Sequence, residues 1–226
     1  RPRIRTIAER AETLARPRSS VPATCDDAVL DNLCANASAT VIQDQFVIDN
    51  EAGAEVAQAL ATCVPAVTYV TADQDAGDVL DPSSHRPLLG PGDTLIAGGG
   101  GFGQSSVAYL DSAGVSPAYI VENGTDLWIY DRSTGVAVVE DAVANLTAHH
   151  DYFLLVLAVE PISGTLCFTA AGTGAPGTVA AAYYFSTEVM PNLPTYTGSW
   201  YAYEWTDTND NSVPDPGDTF TLEGSD

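Results

Sequence analysis

The chain holds 226 residues, 45% of them hydrophobic, which is ample for a packed core and excludes wholesale disorder. Its formal net charge is −22 and is unevenly placed: residues 1–20 carry six Arg against Glu9 and Glu12, while the rest holds two basic and 28 acidic side chains. That acidic body excludes nucleic acid and anionic membrane surfaces as partners, and there is no run of about twenty apolar residues to span a bilayer.

The first expected element is an amphipathic helix over residues 4–15. Ile4, Ile7, Ala8, Ala11, Leu14 and Ala15 recur at helical spacing, Arg5–Glu9 and Glu12–Arg16 are i,i+4 pairs, and Pro17 stops the helix. Residues 1–20 are therefore expected to form a basic amino-terminal arm, which docks on the acidic body of a neighbouring copy and makes a homo-oligomer.

Residues 21–226 are expected to form a single β-rich domain with a helical, disulfide-bonded portion at 24–63. Thr24 suits a helix N-cap, and Asp26 and Asp27 in the first turn favour the positive end of the dipole. Ala52, Val56, Ala59, Leu60 and Cys63 mark a second helical face over Asn50–Cys63, with a strand at Val41–Ile48 between the two helices.

Cys25, Cys34, Cys63 and Cys167 contain no C-x-x-C pair, so zinc-ribbon and redox motifs fail on spacing and two disulfides are expected. On an unbroken helix Cys25 and Cys34 would stand about 13.5 Å apart, too far to pair. Cys34–Cys63 or Cys25–Cys63 would pin the helices together and leave the other cysteine for Cys167. Three sequons, at Asn36, Asn123 and Asn145, join the cysteines in pointing to an exported glycoprotein. A chain that starts at Arg1 is compatible with removal of a signal peptide.

Beyond Pro65 the apolar pattern alternates. Strands are expected at Ala66–Thr71, Thr94–Ala97, Ser105–Leu110, Ala118–Glu122, Leu127–Tyr130 and Val136–Glu140. Further strands follow at Tyr152–Glu160, Thr165–Ala171, Thr178–Phe185, Trp200–Thr206 and Thr219–Leu222. Asp outnumbers Glu by twenty to ten and Lys is absent, a bias toward turns over helix. The expected fold is mainly β: an antiparallel sandwich, immunoglobulin-like or jelly-roll-like, with one to three short amino-terminal helices. Tyr152–Val159, almost continuously apolar, is its expected central strand.

Along this stretch several groups invite chemistry. Asp73, Asp75, Asp78 and Asp81 read first as a solvated acidic turn and second as a weaker ion site. Gly98–Gly103 lacks the Lys-Ser/Thr ending of a phosphate loop and precedes an expected strand, so it reads as a flexible loop or bulge. His150 and Asp151 with Ser105 or Ser106 would make a hydrolase triad, but no nucleophile motif accompanies them and no catalytic residue is assigned. In a strand, Tyr201, Tyr203 and Trp205 share one face and Trp200 the other. They form either a carbohydrate-stacking row or cross-strand core packing.

The sharpest pattern is Asp207–Asp218. Asp207, Asn209, Asn211, Asp215 and Asp218 place side-chain oxygens at positions one, three, five, nine and twelve, and Val213 at position seven offers its carbonyl. Hard cations such as Ca²⁺ take six to eight oxygens from a loop of this kind. These twelve residues resemble the calcium loops of dockerin modules and thrombospondin type 3 repeats, with Ser212 in place of the usual Gly. The resemblance implies bound Ca²⁺. The function expected from these features is an extracellular or cell-surface, calcium-stabilised, self-assembling structural subunit of a surface layer, filament or virion. A calcium-dependent carbohydrate-binding module is the alternative, and a secreted hydrolase the third.

Overall fold

The computed structural model describes residues 29–43, 46–70 and 77–226. The expected helix at 4–15, the basic arm at 1–20, the Thr24 cap, Cys25, Asp73 and Asp75 lie outside the described residues.

Among the described residues ten strands form in chain order: Ser38–Ile42 (β1), Ala66–Val70 (β2), Asp93–Gly98 (β3), Ala118–Glu122 (β4) and Asp126–Asp131 (β5). They continue with Ala137–Ala142 (β6), His150–Val159 (β7), Leu166–Gly172 (β8), Trp200–Thr206 (β9) and Thr219–Ser225 (β10). Among the described residues three α-helices accompany them, Val47–Leu60 (α1), Ser105–Ser112 (α2) and Ala175–Tyr184 (α3).

The molecule is rich in sheet, as expected, but the large sheet is mixed and the antiparallel sandwich does not form. Its order is β10-β9-β7-β8-β3-β1-β2, in which β2, β1, β3 and β8 run parallel while β7, β9 and β10 pair antiparallel. A second sheet, β4-β5-β6, is antiparallel. Parallel neighbours need crossovers, and helices supply them. α1 links β1 to β2, and α3 links β8 to β9 across β7.

Two of those helices occupy segments expected as strands. Ser105–Leu110 begins α2, and Thr178–Phe185 falls largely in α3. Val and Tyr in both segments favour strands only weakly, and context overrides them. In α3 the run Ala180–Ala182 is good helix former and Pro176 sits in the first turn, where its missing N–H costs nothing. The strand expected at Val41–Ile48 ends at Ile42, and Val47 opens α1.

Alternation along the strands gives the large sheet two unlike faces. On the helical face, Val41, Ile96, Phe153, Leu155, Phe168 and Tyr203 pack with Val56 and Leu60 of α1 and Ala180–Ala182 of α3 in the largest core cluster. Each fully buried side chain of this size contributes about 2–3 kcal/mol. The opposite, mixed face carries two separate clusters. Leu95, Ile42 and Cys167 pack with Leu110 of α2. Leu154, Val156, Trp200 and Ala202 pack with Leu127, Ile129 and Val139 of the small sheet. β7, flanked by β8 and β9, is the interior strand that its apolar run implies.

One disulfide joins described residues, Cys34–Cys63, with Cα atoms 5.4 Å apart. It ties a 3₁₀ turn at Leu30–Ala35 to the end of α1. A second bridge to Cys167 does not form: Cys167 is a free thiol, and complete burial raises its pKa. Among the described residues no helix is long and apolar enough to cross a membrane.

Candidate functional site

The two clusters of the mixed face leave a gap between them, a cleft of about 980 Å³. Leu154 and Val156 of β7 and Thr169 and Ala171 of β8 line it from the sheet. Val107, Ala108 and Asp111 of α2 line one side, and Ala118, Tyr119, Ile120 and Glu122 of β4 line the other. At the mouth lie three turns that leave the carboxyl ends of parallel strands, carrying Phe46, Gly100–Gly103 and Gly172–Ala175.

This is the place where an open α/β sheet presents a crevice. β1 continues to α1 on the helical face and β3 to α2 on the mixed face, so the neighbouring turns part and leave a hollow between them. Gln104 fastens this switch point: its carboxamide nitrogen donates to Gly98 O at 3.1 Å and to Ile42 O at 3.4 Å, joining the ends of β3 and β1. Gly98 lets α1 come close, since a Cβ there would stand 2.2 Å from Asp49 O and 2.5 Å from Gly53 N. Beside it Gly99 adopts φ +87°, a conformation that side chains disfavour. The Gly98–Gly103 run, expected as a loop before a strand, is thus a strand-to-helix turn.

The second turn, Gly172-Thr-Gly174-Ala-Pro-Gly177, has the G-x-G-x-x-G spacing that in dinucleotide-binding turns sets a pyrophosphate on a helix amino terminus. Here a side chain takes that position. Asp151, 1% exposed, accepts the N–H of Gly177 at 2.7 Å and of Gly174 at 3.1 Å on Oδ2, and the hydroxyl of Thr173 on Oδ1. Desolvation raises its pKa despite these donors.

The acid balance of the cleft is one-sided. Asp49, Asp111 and Glu122 line it, and among the described residues no Arg, Lys or His does. Desolvation pushes Asp111 up to about 6, against the Ser116 hydrogen bond and the charge of Arg132. Arg132 stands behind the wall, donating to Ser116 O and Asp111 O and stacking over Tyr119 with its guanidinium carbon 4.2 Å from the ring centre. At the mouth Phe46 and Phe102 stack with ring centres 6.1 Å apart, and Phe102 is 95% exposed. A shallower hollow of about 680 Å³ between α1 and β2 is lined by Glu51, Glu55 and Gln58 and lacks such a mouth.

Apart from the Gly98–Gly103 run, the described residues singled out in the sequence for chemistry lie elsewhere. In the 207–218 loop, Asp207 accepts N–H groups of Asn209, Asp210 and Ser212 and pairs with His149 at 2.7 Å. Asp215 accepts the carboxamide nitrogens of Asn209 and Asn211, both at 2.7 Å, and Asp218 accepts Trp205 Nε1 at 3.0 Å. Val213 is exposed, and Asp210 and Ser212 have positive φ. The loop closes on its own hydrogen bonds, and among the described residues no group of three or more His, Cys, Asp and Glu is placed to hold a metal.

Trp200, Tyr201, Tyr203 and Trp205 divide between the two faces as their alternation requires. All four are buried, so they pack the core and form no exposed stacking row. The triad does not assemble. His150 is held by Asn145 O and by Glu204 at 2.8 Å, and Asp151 is engaged at α3. Asn123 and Asn145 are exposed, whereas Asn36 is partly buried and donates to Thr94 Oγ1 at 2.8 Å. Asp81 turns inward on Ser83 and Ser84.

Neither a family model, a curated protein nor a solved structure matches this chain. The cleft residues were hidden in the sequence because Ser105–Leu110 and Thr178–Phe185 look like strands. The signal that marks them is a glycine-rich turn after each of two apolar strands, with Pro176 starting the second helix.

Proposed function

We propose that the chain is an exported binding domain that takes a small ligand into the cleft and does no chemistry on it. The observation that carries this is the stretch of the mixed face between its two clusters, at the switch point of a sheet whose other face carries the largest core cluster. The Cys34–Cys63 bridge supports export, since such bridges persist in oxidising compartments. The engagement of His149, His150 and Asp151 in structural contacts supports a non-catalytic role. The test is a small-molecule screen by ligand-observed NMR, repeated with Ala108→Trp on the cleft wall. Binders should be lost in the variant, and binders retained by it would overturn the reading.

A second reading keeps the self-assembling structural subunit, with Ca²⁺ in the 207–218 loop and the basic 1–20 segment joining copies. It is favoured by the convergence of Asp207, Asp215 and Asp218 in one short loop whose ion pairs, among the described residues, are to His149 alone. Calcium there would have to displace N–H donors from the carboxylates. A chelator that leaves the melting temperature unchanged, or self-association that survives deletion of residues 1–18, would remove this reading.

A further inference from the structure

Resting on the cleft reading, we infer that the ligand is an organic cation, an ammonium group on an apolar or aromatic body, and that Asp111 is its counter-ion. Glycine-rich turns at two helix amino termini would ordinarily suggest a phosphate-bearing ligand. Three observations oppose that here. The amino terminus of α3 already holds an anion, the carboxylate of Asp151. Among the described residues the cleft is lined by Asp49, Asp111 and Glu122 without a basic side chain, and Arg132, behind the wall, is engaged with two carbonyls and the Tyr119 ring. The remainder of the lining is largely apolar, and its mouth and wall carry Phe46, Phe102 and Tyr119.

Those features suit a cation. Aromatic faces attract an ammonium group through their negative quadrupole, most strongly once water has been stripped away. A half-buried carboxylate that has lost part of its hydration regains that stabilisation when an opposite charge arrives. The apolar body of the ligand then covers Leu154, Val156 and Ala171, where the two core clusters fail to meet. An anionic ligand would meet three carboxylates and a strongly acidic body, and would be repelled.

The experiment uses three probes that share one ring system: (1-naphthylmethyl)trimethylammonium, 1-naphthylmethanol and 1-naphthalenesulfonate, titrated by fluorescence anisotropy. The ammonium probe should bind about tenfold tighter than the alcohol, and the sulfonate should not saturate. Asp111→Asn should bring the ammonium probe to the level of the alcohol without changing the alcohol. Glu140→Gln, an exposed carboxylate outside the cleft, should leave the preference intact. Ala108→Trp, at an exposed position on the wall, should abolish binding of both probes. Equal affinity of ammonium and alcohol, both lost in Ala108→Trp, would overturn the cation inference while the cleft reading stands. An equal effect of Glu140→Gln and Asp111→Asn would do the same, since the preference would then come from overall charge. No binding by any probe, or binding that survives Ala108→Trp, would overturn both.

Discussion

The carboxylate of Asp151 accepts the backbone N–H of Gly177 at 2.7 Å, so a strand on one side of β8 caps the helix that leaves β8 itself. Asp151→Ala removes the partner of three backbone donors, Tyr152, Gly174 and Gly177, and the negative charge at the amino end of α3. A loss of about 3 kcal/mol is expected, read as a lowered urea midpoint with unchanged slope. Gly177→Ala should be at least as damaging, about 3 kcal/mol or more, because its Cβ would lie 2.4 Å from Tyr152 O and 2.8 Å from Asp151 Cγ. A fully stable Gly177→Ala protein would show that the turn is built differently.

Asp111 should display the signature of a residue kept for something other than stability. Its folded pKa stands near 6, above the ordinary 3.8, so the folded state binds the proton more tightly than the unfolded chain. The ionised group therefore lowers stability above pH 6, and that cost disappears as pH falls below about 4. Asp111→Asn should raise stability at pH 7 by about 1 kcal/mol, a figure discounted for partial exposure, while weakening the ammonium probe. Denaturant melts at pH 7 and pH 4 check this: the gain should vanish at the lower pH.

The carboxyl-terminal loop should respond to pH at two separate points. Desolvation pushes Asp207 up, but His149 and the N–H groups of Ser212, Asn209 and Asp210 outweigh it and hold the carboxyl at about 2. Its contribution is present above the ordinary carboxylate range and is lost as pH falls from about 4 toward 2. The Asp207 hydrogen bond raises His149, whose contribution is full below 6.5 and lost as pH rises through its raised folded value. The indole N–H of Trp205, which donates to Asp218, is an NMR reporter for both transitions. A signal flat from pH 3 to 9 would refute the coupling.

The disulfide closes a loop with a sequence separation of 29. Replacing Cys34 and Cys63 together by Ala should cost about 3–4 kcal/mol by chain entropy, measured as a drop in the urea midpoint without reductant. Cys167 lies buried in another cluster, so Cys167→Ala in the same background should add its own cavity cost and leave the disulfide effect unchanged.

The strands were legible wherever alternation met turn residues. Ala118–Glu122 and Trp200–Thr206 coincide with β4 and β9, and the apolar run of β7 gave away its interior position. Sheet direction was not legible, because the path from β3 to its parallel neighbour β8 runs through α2 and the path from β8 to β9 through α3, and both helices look like strands. Thr178, Val179, Tyr183 and Tyr184 carry β-favouring side chains, and only packing of Ala180–Ala182 on Phe153 and Phe168 makes the segment helical. The acidic loop at 207–218 stood out because its spacing is local. The cleft did not, since its residues come from turns, three helices and three strands spread over more than a hundred positions.

The mixed face has a divided cover, with α2 seated on one cluster and the small sheet on the other. Arg132, which follows β5 and donates to Asp111 O of α2, ties the two parts together, and their apolar side chains otherwise pack in separate clusters. A guest resting on Leu154, Val156 and Ala171 would touch both flanks at once and convert two flaps into one interior. Occupancy would then slow amide exchange in β4 and α2 together, although the two elements belong to separate clusters.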